Sequence, residues 1–169
     1  MVAPTDIASP LTHEELLSLV RYELETGHFF RVAPRGGVRK NRPLGNVDVS
    51  GYRRIRIKYR KYLAQRLAFF YVTGRWPSCC MDHKNLCKDD NRWENLREAT
   101  YSQNQGNHRQ KCSNLKGAHW NRFRNKWQSY LNVKDRRSRF LGFFPDEQSA
   151  HEAYVRAATE HFGEFARAK

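Results

Sequence analysis

Behind Thr12 and Glu15, which form a capping box, Leu16, Leu17, Val20 and Leu24 recur at helical spacing. The pattern predicts a helix running to about Gly27. Residues 1–10, with Pro4 and Pro10, read as a loose tail, His28–Val32 as a strand, and Pro34–Pro43 as a basic loop around Gly36-Gly37. From Gly45 to Leu63 the chain is β in character. Arg53, Ile55, Ile57 and Tyr59 alternate with Tyr52, Arg54, Arg56 and Lys58, giving one face fit for a core and one basic stripe. Ala64, Leu67, Ala68 and Tyr71 then restore a helical period that closes at Gly74, before Pro77.

The last third has its own β-β-β-α pattern. Gly117–Trp120, Lys126–Val133 and Ser138–Phe144 read as strands, and Pro145–Phe162 as an amphipathic helix with Ala150, Ala153, Tyr154, Ala157, Ala158 and His161 along one side. In the middle strand Trp127, Leu131 and Val133 are expected to pack on that helix. Lys126, Gln128, Tyr130 and Asn132 are then left on an open face able to hydrogen-bond bases and phosphates. The polar stretch Gln105–Asn114 lacks periodicity and reads as the boundary between the two halves.

Charge changes this picture. Thirty-one Lys and Arg stand against 17 Asp and Glu, a formal net charge of +14. Such a chain attracts polyanions, and nucleic acid is the chief candidate. Two basic blocks flank residues 76–112, which are nearly neutral and gather Asp82, Asp89, Asp90, Glu94 and Glu98. Acidic groups between phosphate-attracting flanks suit a divalent cation. No apolar run of about 18 residues is present, so no membrane span is expected. The N-terminal stretch lacks a secretory pattern, so a cytoplasmic location is expected. Cys79, Cys80, Cys87 and Cys112 contain no C-x₂-C pair, so free thiols are expected rather than structural zinc.

The candidate chemistry lies in MDHKNLCKDDNRWENLREATYSQNQGN. Strand, loop, strand and polar helix bring Asp82, His83 and Asn104 into one small unit. Phosphodiester hydrolysis needs an activated water and relief of the phosphorane charge. The His83 imidazole suits proton abstraction near neutral pH. The Asp82 carboxylate and the Asn104 amide oxygen are hard ligands suited to Mg²⁺. Arg92 and Arg97 are candidates for phosphate contact or for pairing with the nearby acids.

This segment resembles the HNH motif of bacteriophage homing endonucleases: His83, Asn95 twelve residues later, and Asn104 nine after that. GYRRIRI and RLAFFYVTGRWP upstream are similar to the same group. The resemblance implies an α+β chain with a ββα-metal (His-Me finger) core, a His83 general base, and one Mg²⁺ or Mn²⁺ ion on Asp82 and Asn104. It also implies that Asn95 ties the loop that holds His83, with Asn91 and Trp93 bracing it. Many relatives read HRLAW where this chain has Gln65-Arg66-Leu67-Ala68-Phe69. If that histidine only packs or hydrogen-bonds, Gln65 is a mild change; if it assists the metal or phosphate, activity here is lower or lost.

Lys116-Gly117, Lys126-Trp127, Leu141-Gly142-Phe143-Phe144 and Ala153-Tyr154 with Ala157-Ala158 resemble an APETALA2-type DNA-binding domain. The resemblance implies a three-stranded sheet in the major groove. It places Lys116, His119, Lys126, Tyr130, Asn132 and Ser138 at the DNA, with Arg122 and Arg124 in an adjoining turn. Arg54, Arg56 and Lys58, on the basic stripe of the first half, read either as a solvated surface or as a phosphate track.

The expected organisation is a tail at 1–10, a nuclease region at 11–110 with its core at about 78–109, and a DNA-binding domain at 114–165. The reading is a site-specific endonuclease acting on double-stranded DNA, expected as a monomer. Its rivals are an inactive HNH scaffold that only binds DNA and a nucleic-acid-packaging protein.

Overall fold

The computed structural model describes residues 11–33, 42–107 (the side chain of Gln105 excepted), 115–133 and 138–167. The expected tail at 1–10 and most of the expected basic loop and inter-half boundary lie outside the described residues. The chain divides into two compact units, Met1–Pro77 with Cys87–Leu96, and Ser78–Leu86 with Arg97–Lys169.

In the first unit, α1 (His13–Leu19) begins on the expected capping box: Glu15 N–H donates to Thr12 Oγ1, and Thr12 N–H to Glu15 Oε2, both at 3.2 Å. The helix stops eight residues short of Gly27. Val20–Tyr22 is instead strand β1, paired antiparallel with β2 (Phe29–Arg31). Val20 and Tyr22 are buried and Arg21 is exposed, so a period of two competes with the helical one. A β-branched and an aromatic residue favour the strand, and pairing decides it. Leu24, counted toward the helix, is exposed.

Strands β3 (Asn46–Val47), β4 (Arg53–Ile57) and β5 (Arg60–Leu63) form an antiparallel sheet in that order. Ile55 and Ile57 are buried, and Arg54 and Arg56 are exposed, as the alternation requires. Tyr59 departs from that alternation. It is 93% exposed, because Lys58 and Tyr59 form the two-residue loop between β4 and β5, with φ of 45° and 65°. Two-residue hairpin loops take this left-handed geometry, yet neither residue is Gly, Asn or Asp. Tyr59→Gly is therefore expected to stabilise the fold by about 1 kcal/mol in chemical denaturation.

Helix α2 (Ala64–Thr73) packs on β4 and β5 and ends where the sequence predicts, with Gly74 left-handed at φ 72° and its N–H on Phe70 O. The ring of Trp76 stacks on Phe70 at 4.2 Å between centroids. Residues 87–96 are held in this unit by hydrogen bonds to its strands and loops. Tyr22 Oη donates to Asn91 O at 2.6 Å, Trp93 N to Leu24 O at 3.0 Å, and the Arg53 guanidinium to both oxygens of Asp89 at 2.8 Å.

In the second unit, β6 (Cys80–His83) pairs with β7 (Leu96–Ala99), and α3 (Tyr101–Gly106) packs against β6. Thr100 caps α3: Gln103 N–H donates to its hydroxyl, and the Gln103 side chain accepts from the Thr100 N–H. Strands β8 (Ala118–Asn121), β9 (Lys126–Asn132) and β10 (Ser138–Phe144) form an antiparallel sheet ordered β10-β9-β8. Helix α4 (Glu147–Phe162), capped by Asp146, crosses one face.

A single apolar cluster joins Ala99 of β7 and Leu131 of β9 to Tyr154, Ala157, Ala158, Phe162 and Phe165. His161, expected on the packed side of α4, is exposed; Phe162 takes the burial there. Gly106 lies against the Phe162 ring, where an added Cβ would come within 2.8 Å of Cγ. The strand-strand-helix segment and the C-terminal sheet thus share one core. Among the described residues no helix is long and apolar enough to cross a membrane.

Candidate active site

Asp82 and His83 close β6, and both are buried, at 3% and 5% exposure. Burying a carboxylate is costly unless donors replace its water. Three groups do so. Arg97 Nε donates to Asp82 Oδ2 at 2.8 Å, and Asn107 Nδ2 donates to Oδ1 at 2.9 Å and Oδ2 at 3.1 Å. The same Asn107 amide reaches His83 O at 3.0 Å, and Leu86 N–H donates to that carbonyl as well. Asn107 therefore fixes the backbone of His83 and the side chain of Asp82 together. Sequence reasoning passed over it. The signal was its place one turn after Asn104, on the same side of the α3 segment.

Removing the Asn107 amide leaves buried acceptors short of a donor. Asn107→Ala is expected to cost roughly 1–3 kcal/mol in denaturant unfolding. A stability equal to wild type would show that water replaces the amide at no cost.

Asn104 lies on α3, half-buried, with its N–H on Thr100 O, and α3 packs on β6. The structure therefore brings the Asp82–His83 pair and the helix bearing Asn104 together in one unit. Asn95 belongs to the first unit, buried in a short 3₁₀ turn, where its Nδ2 donates to Asp90 O at 2.8 Å. Asn91, also buried, donates to Asp89 O. Both tie the 87–96 loop to itself. Arg92 is engaged with the Asp90 carboxylate through Nε and Nη2 and with Glu94 through Nη1. Its proton is held more tightly than usual, chiefly by that Asp90 bond. Of the two readings open for Arg92 and Arg97, the structure shows pairing with acids for both.

Gln65 sits buried on α2 in the first unit, and its Oε1 has no hydrogen-bond partner among the described residues. Among the described residues no three His, Cys, Asp or Glu side chains converge as a metal cage. Cys79 Sγ lies 3.8 Å from Cys80 Sγ, and Cys112 lies outside the described residues.

The remaining sequence-predicted residues fall on two surfaces. In the first unit Arg54 is exposed and paired with Asp48, Arg56 is exposed opposite Lys61, and Lys58 is bonded to Glu15. In the second, the register sets His119 opposite Gln128, Tyr130 opposite Phe140 and Asn132 opposite Ser138, all on the face away from Ser129 and Leu131, which are buried. Lys126 is exposed at the end of this face, Arg122 is exposed in the β8–β9 turn, and Arg124 covers the Phe143 ring. Lys116 is placed differently. It is half-buried, with Nζ on Gly106 O at 3.0 Å, and burial lowers its proton affinity. It ties the end of α3 to the C-terminal sheet.

Residues 62–105 match the model of a family described as HNH endonuclease. The match supports an HNH nuclease. The span runs from β5 to α3 and contains Gln65, Asp82, His83, Asn95 and Asn104. Asn107 and the whole C-terminal sheet lie beyond it. Comparison with curated proteins and with solved structures returns no match.

Proposed function

We propose that the chain is a divalent-metal-dependent, site-specific DNA endonuclease of the homing type, with a ββα-metal core built from β6, β7 and α3. The observation that carries this reading is the Asp82–His83 pair, buried at the end of β6 and fastened by one amide, inside the HNH match. Asp82 and Asn104 offer one carboxylate and one amide oxygen, a hard donor set suited to Mg²⁺ or Mn²⁺ completed by water and phosphate oxygens. The Asp82 carboxylate, at the end of β6 and beside the helix that bears Asn104, is a hard donor such an ion can use. The ion would supply Lewis-acid stabilisation of the phosphorane and of the leaving oxygen.

His83 takes the proton of the attacking water at its imidazole, while Asn107 and Leu86 hold its backbone in place. Asn95 is a loop brace and does not touch the reacting atoms. Recognition falls to the open face of β8–β9–β10, an APETALA2-type reader, where Lys126, Gln128, Tyr130 and Asn132 offer charge and hydrogen bonds to double-stranded DNA. Arg54 and Arg56 add phosphate contacts. A phage-type enzyme acting as a monomer, with one such site per chain, nicks one strand per encounter.

The expected products carry 5′-phosphate and 3′-hydroxyl ends, so DNA ligase should reseal nicks made by the protein without further treatment. Nicks that ligase leaves open would contradict hydrolysis at the 3′-oxygen–phosphorus bond. A second reading, a DNA-binding protein on an inactive scaffold, is favoured by one observation, the unpartnered Oε1 of buried Gln65. DNA retained in gel shifts with no cleavage in Mg²⁺ or Mn²⁺ would select it.

A further inference from the structure

Arg97 is the cationic member of the site. Its side chain is 13% exposed, and Nε lies 2.8 Å from Asp82 Oδ2. The rest of the guanidinium is held by the Gly163–Phe165 turn that follows α4. Nη1 donates to Glu164 O at 3.1 Å and lies 3.8 Å from its carboxylate, and the Phe165 ring centroid is 3.7 Å from Cζ. An ion pair, a carbonyl bond and a cation–π contact thus hold one cation against the carboxylate. Phe165 is itself buried in the cluster that anchors α4.

The guanidinium places a positive charge directly on the carboxylate. A divalent cation approaching Asp82 meets it across the same carboxylate, where burial of both side chains weakens screening of the repulsion. We propose that Arg97 is a built-in competitor for divalent metal at Asp82, clamped by the C-terminal turn, which therefore sets the metal affinity of the site. Arg97 acts through Asp82 as a positioning residue. The inference rests on the reading of Asp82 as a metal ligand. It makes the turn after α4 part of the metal centre, although the HNH match ends at residue 105.

The test is Mn²⁺ titration of the full chain without DNA, followed by the electron paramagnetic resonance of free Mn²⁺, with Asp82→Asn marking the site. Arg97→Gln is expected to bind Mn²⁺ about tenfold more tightly than wild type. Phe165→Leu, which loosens the clamp and keeps the charge, shifts affinity the same way by a smaller factor. Unchanged or weaker binding by a cooperatively melting Arg97→Gln would overturn the proposal. If Arg97→Gln fails to fold, unchanged or weaker binding by Phe165→Leu does so. Wild-type binding that survives Asp82→Asn is a separate failure: it removes the metal reading of Asp82, and the competition with it.

Discussion

His83→Ala is expected to slow strand cleavage by about 10²–10⁴-fold, the contribution of a positioned general base, and to leave DNA affinity in gel shifts unchanged. The asymmetry follows from where His83 lies. It closes β6, buried, with its carbonyl fixed by Asn107 and Leu86, whereas the candidate DNA-reading residues lie on the open face of the C-terminal sheet. Asp82, Asn95 and Asn104 carry no imidazole, the side chain suited to proton transfer near neutral pH. Added imidazole should restore part of the lost rate, which a merely packed histidine would not show. Cleavage by His83→Ala at the wild-type rate would remove the general base from the account.

Gly27→Ala is expected to lower unfolding free energy by roughly 3 kcal/mol or more, among the largest effects of a single methyl group. Gly27 has φ 73°, which an L side chain rarely adopts. An added Cβ would lie 2.4 Å from Arg92 N and from the carbonyl carbon of Asn91, both backbone atoms that cannot swing aside. The substitution therefore pushes out the 87–96 loop, whose Asn91 O also accepts from Tyr22. Loss of stability should come with loss of cleavage, because that loop carries Asn95 into β7. A melting curve like that of wild type would show that the loop is not seated against Gly27.

Local signals in the sequence proved sufficient for some elements. Helix α2 was legible because a helical period ends at a glycine, and Gly74 is left-handed there. The three C-terminal strands were legible because the middle one alternates and basic turns separate it from its neighbours. Helix α1 was drawn too long because Val20 and Leu24 satisfy the helical spacing while Val20 and Tyr22 satisfy the strand spacing. Only pairing with Phe29–Arg31, a non-local fact, separates the two. The Lys58-Tyr59 loop was hidden because it lacks the residues that normally mark it.

The candidate site divides in the same way. Asp82, His83 and Asn104 could be named from their spacing, since chemistry constrains residue type. The grip of Asn107 on Asp82 could not, and Arg97 stayed open between phosphate and acid, because both depend on how β6, α3 and the C-terminal turn pack together.

The most direct measurement is conversion of a supercoiled plasmid carrying the protein's own genomic neighbourhood. Nicked circles are predicted in Mg²⁺ with wild type, none in EDTA, and none on the same timescale with His83→Ala. Intact supercoiled DNA with folded wild type, or nicking that persists equally in EDTA or with His83→Ala, would contradict the assignment of a metal-dependent nuclease site to Asp82 and His83.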